Sequence, residues 1–133
     1  MIYLLDTNAC IIYLNRPVSG VRRRLETLPR QDVAVCSIVK AELFYGAMRS
    51  SFPERSLQRQ QEFLNQYDSL PFDDQSALIY GQIRAQLASA GTPIGPYDLM
   101  VAAIALANNL TLVQPGRSKP AATKGVITGV NLE

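Results

Sequence analysis

The sequence predicts an α/β fold in which a central parallel sheet lies between layers of helices, an α/β/α sandwich. Three short apolar runs, at residues 2–5, 33–36 and 110–113, have the length and composition of strands covered on both faces. Segments with helical spacing separate these runs, and strands that alternate with helices are joined by crossovers into a parallel sheet. The 133 residues have the length of one domain and contain no internal repeat or linker.

The helices are recognised by their apolar spacing and by the residues at their ends. Val39, Leu43 and Ala47 repeat at a spacing of four, which places them on one face of a helix. Proline suits the first position of a helix and glycine its end, so Pro96 marks a start and Gly91 a stop. On these grounds we predict helices at residues 6–14, 17–28, 37–50, 53–67, 73–90 and 96–107, and a short extended piece at 70–72.

The composition restricts the chemistry that the chain can perform. The sequence contains no histidine, which removes catalytic triads, the usual catalytic zinc sites and histidine-based RNA cleavage. Its two cysteines, Cys10 and Cys36, lie in apolar segments without the spacing of a metal or redox site, and we interpret them as core residues. An enzyme built from this sequence would therefore depend on carboxylates and a metal ion.

Charge and hydrophobicity indicate the expected surroundings of the chain. The opening residues MIYLLD lack the charged and apolar regions of a secretory signal, and the apolar runs are too short to span a bilayer. We therefore expect a cytoplasmic protein with no membrane partner. The net charge is only +2, so composition alone does not indicate nucleic-acid binding. The cluster Arg22, Arg23 and Arg24 is either a solvated helix face or a contact for RNA.

Three of the eleven acidic residues lie beside strongly apolar segments. Asp6 follows the first strand, Glu42 lies on the helix after the second strand, and Asp98 lies in the first turn of an apolar helix. Ligand crevices form at the carboxyl ends of parallel strands, so these side chains could meet at one edge of the sheet. Buried carboxylates tolerate one another around a divalent cation, and Mg²⁺ or Mn²⁺ prefers such oxygen ligands. The pattern predicts a metal site that activates water.

Each carboxylate also has a simpler interpretation. Asp6 could be a helix N-cap alone, and Asp98 could be a first-turn acid that interacts only with the helix dipole. Glu42 has no basic residue three or four positions away that would explain it as part of a surface ion pair.

A different function is phosphoryl transfer with Asp6 as the nucleophile. Enzymes of that kind usually carry a second acid two positions on, where this chain has Asn8.

Three stretches resemble, in order and spacing, the motifs of VapC-type PIN-domain toxins. They are LLDTNACIIYL, VCSIVKAELFYGAMRS and YGQIRAQLASAGTPIGPYDLMVAAIALANNLTLV, and together the likeness covers roughly residues 1–113. The resemblance implies a PIN fold that uses Mg²⁺ or Mn²⁺ to cut RNA, with tRNA among the possible targets. It implies that Asp6 and Asp98 hold the metal, and that Glu42 completes the cage and orients or deprotonates the attacking water. It also implies a homodimer and a VapB-type antitoxin partner.

The resemblance stops after Val113. The family continues with a Thr-Asn-Asn or Thr-Asn-Asp type segment that brings a fourth acid or amide to the site, whereas this chain has Gln114, Pro115 and Gly116. We expect a loosely ordered tail over residues 114–133 and hypothesise a shifted reading frame or a diverged end, which translation of the coding DNA in the other frames tests. A missing fourth ligand would weaken activity, and it leaves open an inactive module that binds RNA or the antitoxin.

One basic residue has two interpretations within the resemblance. Arg84, in YGQIRAQL, either touches the phosphate near the acidic pocket or is a surface arginine on an amphipathic helix.

Overall fold

The helices and strands follow one another in the alternating order that the sequence predicts. The computed structural model describes residues 1–92 and 94–115. In chain order they are β1 (Tyr3–Leu5), α1 (Thr7–Asn15), α2 (Gly20–Thr27), β2 (Val33–Cys36), α3 (Ser37–Met48), α4 (Pro53–Leu64), β3 (Asp68–Leu70), α5 (Asp74–Ala90), α6 (Pro96–Ala107) and β4 (Thr111–Val113).

The four strands form one parallel sheet in the order β3-β2-β1-β4. Leu4 of β1 lies opposite Ala34 of β2 on one side and Leu112 of β4 on the other. The chain therefore adds strands on one side of β1 and then crosses back to its other side. In open α/β sheets such a switch of direction leaves a crevice at the carboxyl ends of the strands. The predicted parallel sheet between helices is confirmed.

The core covers the sheet because the central strands are apolar on both faces. Leu4, Leu5 and all four residues of β2 are buried in one cluster, to which α6 contributes Val101, Ile104 and Ala105. A smaller cluster joins α5 to the other side of α6 through Ile83, Leu87, Leu99 and Ala102. Residues 99–105 of α6 are buried apart from half-buried Met100, whereas its first turn is exposed. No helix within residues 1–92 and 94–115 is long and apolar enough to cross a membrane.

Some predicted helix boundaries are wrong. We predicted that α2 begins at Pro17, but it begins at Gly20, because the side chain of Ser19 accepts a hydrogen bond from the Arg22 backbone N–H at 3.0 Å and caps the helix there. Ser37, whose hydroxyl suits an N-cap, is instead the first residue of α3, and Cys36 holds the N-cap position.

The segment between α4 and α5 also differs from the prediction. The extended piece lies at Asp68–Leu70 rather than at 70–72, because these three residues pair with β2. α4 consequently ends at Leu64 rather than at Tyr67. In contrast, α5 has the predicted ends, since Asp73 caps its first turn and Gly91 ends it in the left-handed conformation at φ 70°.

Only the start of the predicted tail is described. Gln114 and Pro115 follow β4 and are half-buried. Together with Val113 they line a cavity of about 200 Å³ beside α2. The remaining part of the predicted loose tail, 116–133, lies outside the described residues.

Arginine side chains bind the carboxyl end of α1. The guanidinium of Arg22 donates to the carbonyls of Tyr13 and of Arg16, the latter at 3.1 Å, and lies 4.1 Å from the centroid of the Tyr13 ring. Arg59 of α4 donates to the carbonyl of Leu14. The last carbonyls of a helix have no partner within the helix, so these contacts satisfy them and join α1 to its neighbours. Arg22 therefore differs from exposed Arg23 in the same cluster.

Replacement of Arg22 by alanine is expected to lower the free energy of unfolding by about 1–3 kcal/mol, because two carbonyl acceptors lose a charged donor. Arg22→Lys should lower the free energy of unfolding by a smaller amount, since an ammonium keeps the charge but lacks the planar set of donors of a guanidinium. Urea denaturation of the purified chain measures the difference. Arg23→Ala is the matched control and should change the value by less than about 0.5 kcal/mol; equal stability of the two alanine variants would contradict the capping role.

Candidate active site

Asp6 is a buried carboxylate at the carboxyl end of β1. It is the residue between strand and helix, with an extended backbone, and its Oδ1 accepts a hydrogen bond of 2.7 Å from the backbone N–H of Ala9. Its side chain is only 8% exposed. The predicted capping role is thus present, but the cap lies at the switch point of the sheet rather than on the outer surface. A capping bond uses one carboxylate oxygen, so the cap is compatible with a second role.

Thr7 connects the end of β1 to Glu42. Its hydroxyl donates a hydrogen bond of 2.6 Å to Oε1 of Glu42, which lies half-buried on α3. The two residues are 35 positions apart, and they meet because α1 and α3 begin directly at the ends of two paired strands. This contact places the carboxylates of Asp6 and Glu42 at the same edge of the sheet. Sequence reasoning selected both acids but missed Thr7, whose only signal is a hydroxyl beside a strand-end aspartate.

Asp98 lies at the start of α6. It is the third residue of that helix, is exposed, and has its Oδ2 only 3.7 Å from the point that a Cβ on Gly95 would occupy. The first-turn N–H groups and the helix dipole favour a carboxylate at this position. Its neighbour Tyr97 lines the same cavity as Glu42. The amino end of α6 therefore borders the groove into which Glu42 projects.

The three predicted acids do not form a closed cage. Within residues 1–92 and 94–115, no group of three or more Asp, Glu, Cys or His side chains is arranged so that it could hold a metal ion. The structure joins Asp6 to Glu42 through Thr7 and places Asp98 on the helix that borders the same groove. The convergence of all three on one cation stays a prediction.

An open groove of about 490 Å³ adjoins Glu42. Its walls are Ile38, Ala41, Glu42 and Tyr45 of α3, together with Tyr97 of α6. The residues of α3 recur at spacings of three and four and so share one face of the helix. A carboxylate thus lies on an otherwise apolar and aromatic surface.

A family model described as PIN domain matches residues 3–116. This match covers most of the chain and includes all three acids. The chain belongs to the PIN-domain family, as the VapC-type resemblance predicts.

Curated relatives and a solved structure agree with this assignment. The chain is 40% identical over 111 residues to the tRNA(fMet)-specific endonuclease VapC of Salmonella typhimurium, covering 84% of this chain and 83% of that protein. It is 37% identical over 114 residues to ribonuclease VapC2 of Rickettsia felis, with 85% of each chain covered. A chain in the crystal structure of DNA-bound VapBC from Salmonella typhimurium superposes with a TM-score of 0.87 at 36% identity, covering 100% of this chain and 97% of that chain.

The donor chemistry of this PIN domain fits a hard divalent cation. Asp6, Glu42 and Asp98 offer carboxylate oxygens, which Mg²⁺ and Mn²⁺ bind in preference to softer donors. The nearby thiols of Cys10 and Cys36 are buried and free. Burial raises the pKa of both thiols, and the charges of Asp6 on Cys10 and of Glu42 on Cys36 raise each pKa further. The buried thiols are core residues, as the sequence predicts, and the carboxylate oxygens are the ligands that the proposed site offers.

Arg84 has a local partner. Its guanidinium donates to the hydroxyl of Tyr80 at 2.9 Å, one turn earlier on α5, and lies 5.8 Å from the centroid of that ring. The residue is exposed, as the surface interpretation requires. A contact between Arg84 and phosphate stays a prediction.

Both cysteines of this PIN domain are expected to resist alkylation in the folded chain. Their side chains are inaccessible and their raised pKa values keep them protonated near the ordinary thiol pKa of about 8.5. Iodoacetamide labelling followed by mass spectrometry should show that the folded chain is modified only at the rate at which it unfolds. In concentrated guanidinium chloride, both cysteines should be labelled rapidly. At higher pH the unfolded chain releases these protons before the folded chain does, so stability should fall. Fast labelling of the folded chain would contradict the burial.

Proposed function

We propose that this PIN domain is the toxin of a toxin and antitoxin pair and acts as an endoribonuclease that requires Mg²⁺ or Mn²⁺. The observation that carries the proposal is the hydrogen bond between Thr7 and Glu42, because it fixes a second carboxylate beside the buried Asp6 at the end of the sheet. The curated relatives named ribonuclease or endonuclease support RNA as the substrate. The relative named for tRNA(fMet) makes that tRNA the first substrate to test.

Each acid has a defined role in the proposed reaction. Asp6 and Asp98 hold the cation, and the cation, when bound, supplies Lewis-acid stabilisation of the charge that develops on the phosphate. Glu42 orients the attacking water and accepts its proton as the new phosphorus–oxygen bond forms. The opposite phosphorus–oxygen bond breaks, and the leaving ribose oxygen takes up a proton from solvent. The hydroxyl of Thr7 fixes the orientation of the Glu42 carboxylate.

We also propose that a VapB-type antitoxin holds the enzyme inactive and that the toxin forms a homodimer. The structural similarity to a chain of a VapBC complex supports the antitoxin partner. A basic side chain of the partner would pair with the carboxylates at the end of β1 and compete with the cation there. Analytical ultracentrifugation of the chain alone tests the dimer, and a monomer at all concentrations would exclude it.

A second candidate function is a PIN module that binds RNA or the antitoxin without cutting. The observation that favours it is the position of Gln114, which lines the cavity beside α2 and not the groove next to Glu42. Gln114 stands where the resemblance places the start of the segment that brings a fourth acid or amide. Calorimetric titration with Mn²⁺ distinguishes the two functions, because an inactive site should bind no cation.

Replacement of Asp6 or Asp98 by asparagine is expected to reduce Mg²⁺-dependent cleavage of tRNA(fMet) by roughly 100-fold or more, because a neutral amide neither attracts the cation nor balances its charge. Asparagine also caps helices, so Asp6→Asn should preserve the fold. Cleavage by the purified variants is measured on gels, and binding of the cation is measured by calorimetric titration with Mn²⁺. Asp73→Asn is the matched control, since Asp73 caps α5 in the same way through the Ser76 N–H at 2.9 Å; full activity of Asp6→Asn would remove that residue from the mechanism.

Replacement of Thr7 by valine is expected to lower kcat/KM by roughly 10- to 150-fold, since a hydrogen bond to a charged group contributes about 1.5–3 kcal/mol. Thr7→Val also leaves the half-buried Glu42 carboxylate without this donor, so the free energy of unfolding should fall as well, and kcat/KM is compared at a temperature where thermal unfolding shows each variant to be folded. Thr7→Ser keeps the hydroxyl and should restore most of the activity, whereas a purely packing role would leave serine as impaired as valine. Steady-state cleavage of tRNA(fMet) provides the comparison.

A further inference from the structure

The groove beside Glu42 has two exposed aromatic walls. The side chain of Tyr45 is 64% exposed and that of Tyr97 is 57% exposed. Tyr45 comes from the middle of α3 and Tyr97 from the first turn of α6, so each ring lies on a helix that also carries one of the predicted acids. Single exposed hydrophobic residues are ordinary, but two aromatic rings that line one groove with a carboxylate are not explained by chance exposure.

The groove also has the charge and size that a nucleotide requires. The guanidinium of Arg49 lies 5.4 Å from the centroid of the Tyr45 ring, so a positive charge lies next to one of the two aromatic walls. The volume of about 490 Å³ lies within the roughly 300–1,000 Å³ that is usual for sites that bind small ligands. Ile38 and Ala41 supply an apolar surface between the charged groups.

The position of Glu42 favours RNA as the occupant. A phosphodiester that reacts at Glu42 carries a nucleotide on each side, and Glu42 is itself a wall of the groove. At least one of the two adjacent bases therefore falls within reach of the tyrosines. Proteins recognise RNA largely through unpaired bases that stack on aromatic side chains.

We propose that Tyr45 and Tyr97 form a stacking site for one unpaired base adjacent to the scissile phosphate, with Arg49 close to the RNA backbone. This inference rests on the proposed nuclease function and adds to it a reason why the enzyme would select unpaired rather than double-helical RNA. The groove is also open to an apolar segment of a partner protein, but the guanidinium of Arg49 beside the Tyr45 ring favours an occupant that carries phosphate.

The first experiment separates ring stacking from simple burial. With the purified full-length chain and tRNA(fMet), Tyr45→Ala and Tyr97→Ala should each lower kcat/KM by about 5- to 150-fold, which is the range for the loss of one stacked base. Tyr45→Phe and Tyr97→Phe keep the ring and should stay within about threefold of the wild type, whereas the leucine variants should behave like alanine. Both rings are largely exposed, so thermal unfolding should confirm that none of the variants is destabilised.

Phe52 provides a matched control. It is also 64% exposed and has a guanidinium, that of Arg55, at 5.3 Å from its ring centroid, but it lines a different cavity. Phe52→Ala should leave cleavage unchanged. An equal loss in Phe52→Ala and Tyr45→Ala would show a general effect of surface aromatics and would overturn the proposal.

The second experiment identifies the base. After the cleavage site has been mapped, synthetic RNAs that span it are made with an abasic nucleotide on either side. The wild type should cut one of the two abasic RNAs as slowly as Tyr97→Ala cuts the normal RNA. When Tyr97→Ala is tested on that abasic RNA, the two losses should not add, because the substitution and the abasic nucleotide remove the same contact. Additive losses would overturn the proposal.

The remaining outcomes distinguish this inference from the function on which it rests. A wild-type chain that leaves tRNA(fMet) and total RNA intact removes the nuclease proposal and this inference with it. A wild type that cuts RNA, with tyrosine variants of equal kcat/KM, overturns this inference alone. Unchanged cleavage combined with loss of antitoxin inhibition in the alanine variants would instead assign the groove to the protein partner.

Discussion

The parallel pairing of β1 with β2 is the constraint on which the candidate site depends. Because the two strands run in the same direction, they end at the same edge of the sheet, where Asp6 caps α1 and Ser37 begins α3. No loop separates either strand from its helix. The first turn of α1 and the second turn of α3 therefore lie close together, and Thr7 reaches Glu42 across 35 positions of sequence.

Asp6 both caps α1 and is one of the two acids to which the proposed function assigns the cation. The backbone N–H of Ala9 donates to one carboxylate oxygen of Asp6, and the residue is buried at the end of the sheet. Asp73 makes the same capping bond at the start of α5 but lies exposed. The two residues have the same local structure and differ in their surroundings, so a capping interpretation of Asp6 does not compete with a catalytic one.

Elements governed by local patterns were predictable, and contacts between distant segments were not. The buried strand Val33–Cys36 and the ends of α5 follow from apolar composition and from capping chemistry that neighbouring residues determine. The position of β3 depends on its pairing with β2, and its sequence has no clear strand pattern of its own. The same limit applies to Thr7, whose partner lies on another helix, and to Arg22, whose contacts with α1 depend on how α2 packs. The acids were found because a carboxylate beside an apolar segment requires an explanation.

The two walls of the groove are attached to the fold in different ways. The wall on α3 begins at the end of a strand and carries Glu42. The opposite wall is Tyr97, on a helix whose amino end follows another helix rather than a strand. Tyr45 and Tyr97 can therefore be substituted without altering the register of β1 and β2 that brings Asp6 and Glu42 together. If the proposed base contact holds, substitutions at these two positions change which RNA is selected and leave the contact between Thr7 and Glu42 in place.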